Sequence, residues 1–227
     1  MSVKVGLRKV EVAYVSRVEG QAALNIEVSN RGEVKAEFAV FEPIRFFEAF
    51  LVGRRHYEVH ELASRICGIC PIAHQITALR AVENALKARV SPQTRALRRL
   101  LALSGWIQSH ALSLYFLTAP DYLGFDSALS MADEHREAVE QAFRLKQLGN
   151  DLSEVVGGRA VHPISAVLGG FTKTPRREDL AEERQRLERE KDALWGTVNL
   201  FRSFRYPQVD RETVMVAISS DEEYAVN

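Results

Sequence analysis

"SRICGICPIAH", running from Ser64 to His74, holds both cysteines of the chain, Cys67 and Cys70, with a histidine one helical turn beyond the second. A C-x-x-C pair permits three chemistries, and its flanks separate them. A dithiol of the thioredoxin type follows a β-strand and opens a helix. Here the preceding "YEVHELASRI" has helical spacing instead, so the motif sits among helices. A structural zinc site needs four ligands, and His56 and His60, one turn apart upstream, formally complete a set with Cys67 and Cys70. Structural zinc mostly rescues small domains that lack a core, whereas this chain is 46% hydrophobic. In the third chemistry the pair supplies half the thiolates of a larger centre of nickel, iron or copper. Pro71 suits the first turn of a helix, which places Cys70 at the positive helix end and His74 where it can donate a hydrogen bond to that sulfur. Spacing alone does not choose the metal.

Upstream of the motif, apolar residues alternate in the manner of strands: Val10, Val12 and Tyr14, then Ala22 to Val28, then Val34 to Val40. "SNRGE" between the last two reads as a hairpin turn in which Asn30 and Gly32 tolerate positive φ. From Phe46 onward the period becomes helical. One helix is expected from Pro71 to about Arg89. A second opens on the Ser91 and Pro92 pair, runs through "TRALRRLLALSGWIQSHALSLYFL" and stops at Pro120 and Asp121. Further helices are expected over Met131 to Gly149 and Arg177 to Phe204. The charge-rich "REDLAEERQRLEREKDALW" of the latter reads as a solvated face. "GGRAVHPISAVLGGFTKTP" reads as an ordered loop, and "ETVMVAISS" as strand-like. The fold class is therefore α+β, mainly α: a small N-terminal antiparallel sheet over residues 1–45 packed on a long-helix bundle over residues 46–205, with a further segment beginning at 206–227.

Thirty basic and thirty acidic residues leave no net charge, which removes the usual electrostatic case for nucleic acid or an anionic membrane surface. The longest apolar stretch, Ala111 to Ala119, is about half of the ~20 residues that cross a bilayer, so no membrane span is expected. The N-terminus lacks the apolar core and cleavage site of a signal peptide, and a cytoplasmic location is expected. Two cysteines are too few for a secreted disulfide scaffold.

The motifs taken together resemble one family. "RICGICPIAH" resembles the R-x-C-G-x-C-x-x-x-H motif of the large, catalytic subunit of nickel-iron hydrogenases. "SRVEGQAALNIEV" resembles that family's R-x-E-G strand entry, and "PIRFFEAFLVGR" its segment ending in a glutamate and G-R. "IQSHALSLYFLTAPDYLG" and the H-P-x-x-x-x-G-G of "HPISAVLGG" resemble its middle motifs, so the likeness runs from about Ala13 to Pro175. Within the family, "PIRFFEA", "PDYLGF" and "AVLGGFTKTP" look most like the cytosolic NAD(P)-linked group, also called sulfhydrogenases.

The resemblance implies reversible oxidation of H2 coupled to NAD(P), at a nickel-iron centre with carbon monoxide and cyanide on the iron. It implies that Cys67 is a terminal nickel ligand and that Cys70 bridges nickel and iron. Glu19 corresponds to the family's proton-gate glutamate, Glu48 to a ligand of a second ion such as magnesium, and His74 to the histidine that hydrogen-bonds near the bridging sulfur. His110 and His162 are read as structural supports; His56, His60 and His135 receive no role. The partners implied are a small subunit with iron-sulfur clusters, flavin and iron-sulfur subunits for NAD(P), and maturation proteins. Two cysteines and no flavin motif keep those electron carriers out of this chain.

The departures are equally definite. The family's second pair, D-P-C-x-x-C-x-x-H, is absent, as is a later arginine over the nickel. The expectation is an N-terminal half carrying half the ligand set, inactive alone. The alternative is a non-catalytic scaffold or assembly relative with zinc or nothing at Cys67 and Cys70.

Overall fold

The computed structural model describes residues 8–210, 212–217, 219 and 221. It divides the chain into two compact units, one up to Phe46 and one from Phe47. The first is a three-stranded antiparallel sheet, β1 (Arg8–Val12), β2 (Ala22–Val28) and β3 (Val34–Val40), in that order. Val12 faces Leu24 and Leu24 faces Phe38 across the strands, so the alternating apolar residues share one side. The other side carries Lys9 and Glu27, paired at 2.7 Å. In the hairpin, Gly32 takes φ +81 while Asn30 does not take a positive φ. Ser29 organises the turn instead, its hydroxyl accepting from Arg31 N and Glu33 N.

The second unit is helical: α1 (Phe47–Leu51), α2 (Val59–Ser64), α3 (Pro71–Leu86), α4 (Pro92–Ala111), a π-helical segment (Leu112–Thr118), α5 (Ala119–Leu123), α6 (Arg136–Gly157), α7 (Arg177–Arg189) and α8 (Lys191–Arg202). A two-stranded hairpin, β4 (Ala166–Val167) with β5 (Gly170–Phe171), lies between α6 and α7. Ser91 caps α4 as the sequence suggests, accepting from Thr94 N at 3.1 Å.

Several expected boundaries move, each for a local reason. α3 stops at Leu86 because Lys87 turns left-handed, φ +55. The helix expected to stop at Pro120 passes through it to Leu123. Widening to π geometry just upstream releases the i−4 bond that a proline cannot make, and Pro120 then occupies the first turn of α5. α6 begins at Arg136 rather than Met131, since the Ser127 and Ser130 side chains close turns ahead of it. The helix expected over Arg177 to Phe204 breaks at Glu190, where ψ is 1°. The break lets α7 meet α6 through Arg186 and Asp151, 2.8 Å apart, while α8 turns Phe201 onto Tyr115. The charge run is accordingly not all solvated: Glu183 is buried beside Arg186. "ETVMVAISS" forms no strand among its described residues, 212–217 and 219, for no described strand pairs with it. The expectations at Met1 to Leu7, at Ile218 and Ser220, and at 222–227 lie outside the described residues.

Two apolar clusters build the core. One gathers Tyr115, Met131, Val139, Leu145 and Phe201, the other Ile72, Leu79, Leu101, Leu152 and Val156. Between them α4 meets α6 along a polar seam: Ser104 and Ser153 share a 2.7 Å hydrogen bond, and Gln108 Nε2 donates to Gly149 O and Ser153 Oγ. Pro92–Leu123 is long and apolar enough to cross a membrane by length and composition alone. Its buried Arg98, Ser104 and Gln108 are instead engaged with α3 and α6, as in the core helix of a bundle.

Gly149 makes this seam possible. A Cβ there would lie 2.8 Å from Gln108 N and 3.0 Å from Ser104 O, both backbone atoms that cannot swing away. Alanine at an unconstrained helix position gains about 1 kcal/mol over glycine. Overpacking against fixed atoms costs about 1–3 kcal/mol. Gly149→Ala is therefore expected to lower unfolding free energy in urea by up to about 2 kcal/mol, and a more stable variant would contradict the tight seam.

Candidate metal centre

Cys67 and Cys70 lie on the short loop that joins α2 to α3, and the sequence dictates its shape. α2 ends at Ser64, and Pro71, which lacks an N–H, starts α3. The six residues between must reverse on themselves. In doing so they fold back over the first sulfur: Cys67 Sγ accepts from Ile69 N at 3.3 Å and from Cys70 N at 3.2 Å. Two amide dipoles thus converge on Cys67, which is buried, while Cys70 is exposed. Hydrogen bonds of this kind accompany metal-bound cysteine sulfur.

His74 is half-buried one turn into α3, its amide bonded to Cys70 O at 3.4 Å. Cys67 and Cys70 thus lie on the loop and His74 on the first turn of the helix that follows it. Glu48 is exposed on α1, and Glu19, also exposed, belongs to the sheet unit, in the segment between β1 and β2.

Among the described residues no group of three or more His, Cys, Asp and Glu side chains is arranged to hold a metal. The four-ligand zinc set is therefore not formed. His60 is carried inward on α2, where burial lowers its pKa, and His56 is exposed and stacks edge-on against Tyr57 at 5.6 Å. The cysteine pair by itself fits two adjacent soft ligands of a thiolate-bound centre that draws its remaining donors from elsewhere. A cleft of about 980 Å³ lies between α3 and α4, lined by Arg80, Glu83, Arg95, Arg98 and Arg99 among others, and contains neither cysteine.

Two residues that sequence reasoning passed over or left as mere supports are engaged at this loop. Gln75, fully buried on α3, donates from Nε2 to Pro163 O at 2.6 Å. His162 sits against Ser64 and Arg65 and takes φ +52, unusual for a side chain of its bulk. A polar residue on the inner face of an otherwise apolar helix was the signal available for Gln75.

The sequence model of the nickel-dependent hydrogenase family matches residues 45–155. The alpha chain of sulfhydrogenase 1 of Pyrococcus furiosus is 34% identical over 210 residues, which are 92% of this chain and 49% of that one. The alpha chain of sulfhydrogenase 2 of the same organism is 41% identical over 172 residues, 75% and 42% respectively. The F420-non-reducing hydrogenase vhu of Methanocaldococcus jannaschii provides a third relative, 33% identical over 197 residues, 82% of this chain and 47% of that one. Among solved structures, an NAD+-reducing NiFe-hydrogenase in the H2-reduced state superposes with TM-score 0.78 at 31% identity, covering 86% of this chain and 46% of that one. The chain thus spans about half the length of the relatives it matches. An α-rich chain with a small antiparallel sheet, a paired-cysteine loop between two helices and this set of relatives has one family in common: the chain belongs to the nickel-dependent hydrogenases, as a relative of their large subunits.

Proposed function

We propose that this chain contributes Cys67 and Cys70 as two of the thiolate ligands of a nickel-iron centre in a cytoplasmic complex that reversibly oxidises H2 and exchanges the electrons with NAD(P). The observation that carries this reading is the loop itself, with one sulfur buried under two amides and its neighbour exposed three residues on. Bound there, a nickel-iron group with carbon monoxide and cyanide on its iron supplies the cleavage of H2. In this reading Cys67 would hold the nickel and Cys70 would hold both the nickel and the iron. His74 orients Cys70 by a hydrogen bond from its ring. Glu48 offers a hard oxygen to a magnesium ion, and Glu19 moves the proton, since a carboxylate can take it at one oxygen and release it at the other. The electrons leave through a small subunit with iron-sulfur clusters and through flavin and iron-sulfur subunits, and maturation proteins insert the metals. The NAD+-reducing hydrogenase among the similar solved structures supports the choice of NAD(P). The chain's own two thiols are half of the set, so activity belongs to the assembled complex.

The test is metal analysis of the purified complex, which should contain nickel and iron in near-equal amounts. Stoichiometric zinc without nickel would sink the reading. Within the same complex, Glu19→Gln is expected to slow H2 turnover by about a hundredfold or more, the scale on which a positioned proton carrier contributes. Nickel and iron content should be unchanged by that substitution, and undiminished turnover would remove Glu19 from the proton route.

A further inference from the structure

We propose that the dipeptide His162–Pro163 is a clasp that holds the cysteine loop from both sides, with His162 and Gln75 as positioning residues for the Cys67 and Cys70 pair. The importance of the loop's geometry rests on the function proposed above; the clasp itself stands on contacts. On the downstream flank, Gln75 lies in α3 shortly after Cys70, and its Nε2 donates to Pro163 O at 2.6 Å. On the upstream flank, His162 lies against the Ser64 backbone, at the end of α2, and beside Arg65. Adjacent residues of one loop therefore grip the chain just before Arg65 and just after His74, and the cysteines lie between the two grips.

The clasp is itself anchored. Ile164 N and Ser165 N both donate to Gly157 O, at 2.8 and 2.9 Å, which fixes the loop to the end of α6. Pro163 is buried, and its neighbour Ser165 is tied to Thr172 beyond the β4–β5 hairpin. The clasp also costs stability, and the costs lie in the same residues. His162 holds φ +52, its Nδ1 is buried without a hydrogen-bond partner, and Gln75 Oε1 is likewise buried and unpartnered. Strained backbone and orphaned polar atoms persist where the surrounding structure over-determines them, and such features cluster at functional sites. A buried leucine or methionine at position 75 would pack as well in the core, but it would not hold Pro163.

The test uses the reduced, metal-free 227-residue chain and reads the alkylation rate of each cysteine by mass spectrometry, so it is independent of whether nickel is the metal. In the parent chain, exposed Cys70 is expected to react well ahead of buried Cys67. Gln75→Met should raise the Cys67 rate relative to Cys70 by about tenfold, the equilibrium factor carried by one buried hydrogen bond, and His162→Ala should raise it in the same direction. His162→Asn, which tolerates the left-handed backbone and keeps a donor, should restore the parent ratio. Ser153→Ala disturbs the α4–α6 seam instead and should leave the ratio unchanged. The clasp is overturned if Gln75→Met and His162→Ala melt cooperatively yet keep the parent ratio, or if Ser153→Ala raises Cys67 reactivity equally. Nickel absent from the complex alongside a confirmed clasp would reject only the metal reading.

Discussion

Cys70→Ser in the assembled complex is expected to remove nickel and iron together and to abolish H2 turnover. Serine keeps the size of the side chain but replaces a soft, polarizable sulfur by a hard hydroxyl, which binds nickel poorly and is not ionised near neutrality. Losing an outer hydrogen-bond partner of a metal ligand costs about 10- to 100-fold in affinity. Losing a ligand shared by two metals should exceed that, so retained metal should fall at least about a hundredfold. The fold should be untouched, because Cys70 is exposed and the backbone amide with which it bonds Cys67 is kept by serine. Metal analysis and circular dichroism on the same sample separate the two effects. Full nickel occupancy in a folded Cys70→Ser complex would refute the proposed ligand role.

The second large effect is expected at Arg98→Ala, far from the cysteines. Arg98 and Glu83 are 6% and 5% exposed and form a two-pronged ion pair, both contacts 2.6 Å. The pair also binds the β4–β5 hairpin: Arg98 Nη2 donates to Val167 O and Gly169 N donates to Glu83 Oε1. Three elements, α3, α4 and the hairpin, meet at these two side chains. Removing the arginine strands a carboxylate in the interior, a loss of about 3–5 kcal/mol. Against a total stability of about 5–15 kcal/mol, that is a large share. Urea unfolding checks it, and a loss below about 1 kcal/mol, typical of exposed pairs, would show that the pair is not buried in solution.

The same pair sets a pH dependence. Burial alone would raise the Glu83 pKa, but hydrogen bonds from Arg98 and Gly169 N, with the charges of Arg98 and Arg80, outweigh it and hold the pKa below its ordinary value of 4.5. The unfolded chain then binds this proton more readily than the folded one. Glu83 therefore contributes stability that is full above about 4.5 and is lost as pH falls through the lowered folded value. His60 acts earlier in the same direction. Its burial depresses the pKa below 6.5, so stability begins to fall as pH drops below that value. Glu83→Gln should flatten the lower part of this acid limb and leave the upper part in place.

α4 shows where sequence reasoning reaches and where it stops. Its start was legible because Ser91 and Pro92 are local signals whose effect does not depend on the rest of the chain. Its inner face was not. Thr94, Arg98, Ser104 and Gln108 are buried there, in positions that a hydrophobicity pattern assigns to solvent. Thr94 is satisfied locally by Ser91, but Arg98, Ser104 and Gln108 can be buried only because Glu83, Ser153 and the Gly149 carbonyl arrive from other helices to satisfy them. Pro120 failed as a stop signal for a related reason: the π-helical segment ahead of it relieves the clash that ends most helices. The cysteine loop was legible as a motif, yet its bracing by Gln75 and His162 was not, since Gln75 and Pro163 are 88 residues apart.

The sequence by itself determined the strand-to-helix change after Pro43, the helix starts at Pro71 and Pro92, and the thiol pair with its histidine, because alternation, capping and motif spacing act over a few neighbouring residues. Only the tertiary structure decided which sulfur is buried, which polar residues the core admits and what grips the cysteine loop, because each depends on hydrogen-bond partners that long-range packing alone delivers.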